Sequence, residues 1–404
     1  MASIDFLIGR SFFISPPRYV PMTTFLVATI LFALVLLASL ISIEFGLAAA
    51  IIEITLGVIA GNYLGVPTHV SWIAFLASFG SIYLTFQAGT EVDTKLFKKH
   101  WIEALLIGGG SFVVPFIGEF LVAYYGFHWT FGASKIAALA LSTTSLAVVY
   151  AVLVETGLSA TNFGKRLMAA TFVEDASTAI FLTLLFLSFN WYTFWFAVVS
   201  VIALIVFPKV IAAFHNRYGD KVIEPEIKFI FLTMFVLLWL GSAGKNQPGL
   251  PVFFLGLLLS TFLTKHEALR KKMRTIGFAM VTPFFFFQGG LNVDLKDVWV
   301  GLGALTIFIV VKFLTKFIGV WPFAKKYHGV NNMFTTLLMS TGLTFGTISS
   351  LYGLSNHIIT VPQFSILITG VIISAILPTI IALKKYPPQT EAAKEIITAA
   401  GEEG

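Results

Sequence analysis

The sequence predicts an all-α membrane protein. Three observations point there: too few charges for a water-facing surface, apolar runs of membrane-spanning length, and cations sorted to alternate sides of those runs. Of 404 residues, 57% are hydrophobic and 11% charged, and the mean hydropathy is +0.90. A soluble domain carries about 25% charged residues, so lipid must solvate most of the outside. The absence of cysteine excludes disulfides, thiolate metal sites and cysteine nucleophiles. A pI of 9.3 does not argue for a nucleic-acid partner, because the cations punctuate apolar runs instead of forming a patch. The N-terminus lacks the pattern of a removable signal peptide.

Apolar runs of about 18 residues or more are candidate spans. About thirteen are expected: 22–41, 46–64, 71–91, 101–125, 132–155, 162–188, 191–213, 225–243, 248–264, 275–293, 299–323, 332–352 and 361–383. Turn residues such as Gly126, Gly157, Asn190 and Pro251 separate several of them. With the N-terminus outside and the C-terminus cytoplasmic, nineteen of the 26 lysines and arginines fall in cytoplasmic loops and four fall outside. The other three, Lys135, Lys312 and Lys316, lie inside predicted helices. Thirteen spans suit an inverted repeat of six, a linker helix and six more, as in many secondary transporters. The expected organisation is an N-terminal segment 1–21, a transmembrane domain 22–386 and a short polar tail 387–404. Within the domain the first repeat covers 22–188, the linker helix 191–213 and the second repeat 225–386.

Ionisable groups at membrane depth are costly and therefore functional candidates. Glu174 and Asp175 lie in the middle of the sixth run, about 100° apart on a helix. One can face a cavity while the other faces a neighbouring helix. Two adjacent carboxylates cannot both be charged cheaply there, so a proton or a cation must compensate. Lys312 and Lys316, four apart in the eleventh run, share one helix face and call for an acidic partner, with Glu174 the obvious one. The bland alternative is that they snorkel to an interface.

Two polar interruptions complete the set, Ser142-Thr143-Thr144-Ser145 in the fifth run and Ser340-Thr341-Gly342-Leu343-Thr344 in the twelfth. Such stretches suit broken helices, whose freed backbone groups hydroxyls re-satisfy and whose opposed ends present partial charges to ions. They occupy the fifth place of six in each half; alone, each could be a packing motif of small residues. Glu53, Glu91, Glu103, Glu119 and Glu155 lie near predicted ends or could pair structurally. Gln288 could line a cavity. No phosphate-binding glycine loop, His-Glu-x-x-His or Mg2+-holding aspartate repeat is present, so no enzyme chemistry and no cofactor are expected.

These residues resemble those of the monovalent cation:proton antiporter-2 family, within the sodium/proton exchanger superfamily, over about 40–383. Phe86-Gln87-Ala88-Gly89-Thr90-Glu91-Val92-Asp93 resembles the segment ending that family's third helix. Ser142 to Leu153 is similar to its first crossover helix, and Lys316-Phe317-Ile318-Gly319 to its basic residue and following glycine. Glu174-Asp175 matches its acidic dyad, in which the second position binds the ion. The first position is usually Asp, Asn or Gln in the family; an acidic residue there resembles the electrogenic members.

The resemblance implies exchange of Na+ or K+ for H+ at Asp175, the transported metal's ligand, assisted by Thr143 and Thr144. Glu174 would pair with Lys316 or Lys312, and a second crossover would run through Gly342 and Thr344. It also implies a core bundle moving against a dimerisation bundle in a homodimer, in the lipids of the cell membrane, serving pH homeostasis. The rival transporter is a sodium-coupled symporter of an organic anion on a related inverted-repeat fold. An intramembrane enzyme and a channel are more distant alternatives.

Overall fold

The computed structural model describes residues 24–388, apart from 46–47, 69, 92–93, 160, 188–189, 220–222, 245 and 247. The expected segment 1–21, residues 389–404 of the expected tail, Asp93 and the loop cations Lys221, Lys245 and Lys394 lie outside the described residues, as does the side chain of Glu155. Among the described residues every regular element is helical.

In chain order the helices begin with α1 (Thr24–Phe45), α2 (Ala49–Asn62), α3 (Ser71–Thr90) and α4 (Thr94–Leu121). Then follow α5 (Phe131–Ser142), α6 (Leu146–Glu155), α7 (Asn162–Leu185), α8 (Trp191–Tyr218), α9 (Pro225–Gly244) and α10 (Gly249–Lys265). The remainder are α11 (Glu267–Ile276), α12 (Thr282–Leu291), α13 (Leu295–Val300), α14 (Leu302–His328), α15 (Asn332–Leu338), α16 (Thr344–Ser355) and α17 (Val361–Lys385). Nine helical stretches among the described residues are long and apolar enough to cross a membrane, and α2 and α10 are shorter apolar helices. Wide π turns extend α4 at Val122–Gly126 and precede α12 at Gly277–Val281.

Local chemistry sets the helix ends. Asn190 starts α8 with a reciprocal capping box to Thr193, and Thr360 does the same for α17 with Gln363. Residues 265–274, expected as a basic loop, are largely α11. Leu269 and Met273, four apart, are buried under its charged outer face, and Tyr83 Oη donates to the Met273 carbonyl. Ion pairs from Arg270 to Glu91 and from Lys272 to Glu224, both 2.6 Å, fasten it. The run expected from 299 begins at Leu302, because Asp294 caps the short α13 ahead of it.

The helices pack in two groups. α4 contacts α5, α7 and α14, while α5, α16 and α17 close around them. The second group joins α2 to α12, α3 to α10 and α12, and α8 to α9. Glycine permits the closest approaches: a Cβ at Gly110 of α4 would lie 2.3 Å from the Gly319 carbonyl of α14. Large apolar side chains stay exposed on α1 and α8, including Leu36, Leu40, Trp195, Ile202 and Ile205, as lipid-facing surfaces require.

Candidate ion-binding site

The two polar interruptions are breaks in the helices. Residues 143–145 separate α5 from α6, and residues 339–343 separate α15 from α16. Side-chain hydroxyls recover the freed carbonyls. Thr143 donates to Ala140 O (3.1 Å), Ser340 to Thr336 O (2.7 Å) and Thr341 to Leu338 O (2.7 Å). The breaks cross at glycine. A Cβ at Gly342 would lie 2.9 Å from Thr143 O and 2.5 Å from Lys312 Nζ, so no larger residue fits without displacement. Thr344 opens α16 just beyond the crossing.

Charged side chains from α7 and α14 converge there. Lys316 Nζ lies 2.6 Å from Glu174 Oε1, and neither side chain has any exposed surface. The same ammonium donates to Ser111 Oγ of α4 (2.9 Å) and to Thr144 Oγ1 (3.1 Å), which uses all three of its N–H bonds. The Thr144 hydroxyl lies within donating reach of both Glu174 Oε2 and the Met339 carbonyl of the second break, with one proton to give to either. Lys312 Nζ donates to Ser374 Oγ of α17 (2.9 Å) and to Thr143 O (3.4 Å). Neither lysine snorkels; both are fully buried. The Lys312 ammonium beside the Thr143 carbonyl, at the C-terminal end of α5, offsets the negative dipole end of that half-helix.

Asp175 differs from its neighbour. It accepts no hydrogen bond among the described residues and keeps 3% exposure. Thr144 thus engages Glu174 instead of Asp175, and Lys316, not Lys312, is the partner of Glu174.

The remaining acidic candidates divide sharply. Glu91 pairs with Arg270, and Glu103 accepts from Arg166 of α7 and lies 2.8 Å from His328 Nε2 of α14. Glu53 is buried in α2, and Glu119 is buried in α4 with neither carboxyl oxygen hydrogen-bonded. Lys135 caps the C-terminal carbonyl of Leu185 (2.8 Å) over the Phe186 ring. Gln288 lines a cavity of about 680 Å³ together with Ser78, Ser81, Asn246, Ile348 and Tyr352. That cavity opens at the end where α2 meets α3 and α9 meets α10, and Asp175 is not among its lining residues. Sequence reasoning missed Ser111 and Ser374. Single serines among apolar residues carry no pattern; only their place opposite the lysines distinguishes them.

Comparison with known proteins bears out the resemblance. The transmembrane sodium/hydrogen exchanger family matches residues 28–383. The chain is 26% identical over 344 residues to a probable Na+/H+ antiporter of Methanocaldococcus jannaschii, covering 80% of this chain and 87% of that protein. It is 23% identical over 362 residues to the Na+/H+-K+ antiporter GerN of Bacillus cereus, covering 85% and 90% respectively. A solved structure of a sodium proton antiporter from Methanocaldococcus jannaschii at pH 8 superposes with a TM-score of 0.67 at 16% identity, covering 90% of this chain and 99% of that one. Its likeness is one of fold. The chain belongs to the sodium/hydrogen exchanger family.

Proposed function

We propose that this protein exchanges a monovalent cation for protons by alternating access, with Asp175 as the ligand that the two ions share. The observation that carries the reading is the contrast within the dyad. Glu174 is engaged by Lys316 and by Thr144 of the first break, whereas the adjacent Asp175 accepts no hydrogen bond among the described residues. A dehydrated cation beside Asp175 stabilises its charged form, a proton neutralises it, and one carboxylate cannot serve both. Backbone carbonyls and hydroxyls near Thr143, Thr144, Gly342 and Thr344 complete the coordination. Lys316 holds Glu174 until the entering cation competes for it.

The architecture assigned to this function is thirteen spans in an inverted repeat of six, a linker helix α8 and six more. Packing supports it. Gly57 of α2 meets Gly290 of α12, and Gly256 of α10 meets Gly89 of α3, so exchanging the halves carries one contact onto the other. The domain division is therefore 22–188, 191–213 and 225–386, within a core bundle and a dimerisation bundle of a homodimer. The N-terminus lies outside and the C-terminus in the cytoplasm of the cell membrane, which puts the mouth of the cavity on the outer side. The organic-anion symporter is given up: the two relatives compared above bear the names of cation/proton antiporters, and among the described residues no lysine or arginine lines the cavity to hold an anion. Asp175→Asn in proteoliposomes tests the site. Cation-driven pH changes should vanish while the protein still folds and extracts, and retained exchange would refute the assignment.

A further inference from the structure

Besides Asp175, which keeps 3% exposure, Glu119 of the α4–α7–α14 group is buried at 0% exposure with both carboxyl oxygens lacking a hydrogen-bond donor among the described residues. A bare carboxylate cannot persist at that depth, because burying an ion without a partner costs several kcal/mol. Compensation must come from a bound proton or from a cation that moves up to it. The candidate cation is at hand. Position 118 packs on Val311 and Thr315 of α14, on either side of Lys312, and Lys312 is the charged group that acts on Glu119 from the elements around α4. Lys312 meanwhile spends its donors elsewhere, on Thr143 O at the crossing and on Ser374. One turn beyond Glu119 the helix widens into the π turn Val122–Gly126, a device common at functional sites.

We propose that Glu119 is a second proton-binding residue of this exchanger, which releases its proton when the ammonium of Lys312 leaves the crossing to pair with it. The idea rests on the exchange reading above and deepens it. In the arrangement seen here Lys312 lies at Thr143 and the carboxyl of Glu119 carries H+ on one oxygen. A cation arriving near Thr143 repels the ammonium. Lys312 then donates to the Glu119 carboxylate, and the displaced proton passes to water. The O–H bond at Glu119 breaks, an N–H···O bond forms, and the buried pair loses one positive charge as the cation adds one. Lys312 stays charged throughout.

The test is infrared difference spectroscopy of the purified protein on adding Na+ or K+, paired with transport by the same variants. The parent should lose carboxylic-acid C=O bands of both Asp175 and Glu119 on cation binding. Glu119→Gln should lack one of the two, and that one Asp175→Asn should retain in the spectrum before cation is added. In transport, Glu119→Gln should raise the apparent KM for the cation about fivefold or more and flatten its pH dependence, the scale of a typical coupling between two sites. A Glu119→Gln spectrum identical to the parent's, or an unchanged pH profile, overturns the proposal. Exchange retained by Asp175→Asn would instead sink the Asp175 assignment, so the two failures are distinguishable.

Discussion

The same three helices, α4, α7 and α14, build two acid–base clusters, and the two are finished differently. At the end of the bundle Glu103 is closed on every side by Arg166, His328 and the more distant His100, while the second nitrogen of His328 reaches Thr335 Oγ1. Two turns along α4, Ser111 joins Glu174 and Lys316, but here one carboxylate of the dyad, Asp175, is left without a donor among the described residues. A saturated cluster holds helices together; an unsaturated one at membrane depth must recruit a proton or a cation. On the proposed function, the contrast separates a fixed part of the molecule from the part that exchanges.

The sharpest way to break the comparison is at the open position. Asp175→Asn should reduce exchange to the background of empty liposomes, with an unchanged elution profile in detergent. Next comes Lys316→Gln, which leaves Glu174 buried without its ammonium. Removing one partner of a buried pair costs about 3–5 kcal/mol, so the thermal midpoint of the solubilised protein should fall clearly. Glu174→Gln combined with Lys316→Gln should recover much of that loss. Equal midpoints for the single and double variants would deny that the two act as a pair.

Competition at one carboxylate predicts a smaller but graded effect. Where Asp175 is mostly protonated, each unit of acidification should raise the apparent KM for the cation about tenfold or more, since at least the proton on Asp175 must leave for one cation to bind. A KM independent of external pH across that range would remove the shared-ligand mechanism. The mildest change is expected at the closed cluster. Glu103→Gln should cost about 1–3 kcal/mol of stability through its unmatched donors and leave the cation KM near the parent's. A large loss of cation affinity would show that the end cluster is no mere fastening.

Much of this was legible in the sequence because membrane folds obey few rules. Apolar runs of spanning length located most of the long helices, although α4 begins at Thr94, well before its run, and charges inside those runs singled out Glu174, Asp175, Lys312 and Lys316. The Ser-Thr-Gly interruptions marked both breaks. The amphipathic α11 was hidden because its apolar residues, Leu269 and Met273, stand among charges that read as a loop. Glu119 was grouped with four other glutamates because spacing could not separate it from Glu103; one proves fully partnered and the other bare.

The sequence alone settled what lipid requires: helices throughout, few charges, and the rare ionisable residues held inside. It could not decide which lysine meets Glu174, whether Thr144 serves Glu174 or Asp175, or that Ser111 and Ser374 receive the ammonium groups. Those choices depend on how helices far apart in the chain are rotated and raised against one another. Register is set by close contacts such as Gly110 on Gly319 and Gly342 on Thr143, and a shift of one residue turns a side chain by about 100°. Hydrophobicity is a property of a segment and can be read along the chain, whereas a hydrogen bond is a property of a pair and exists only once the helices have met.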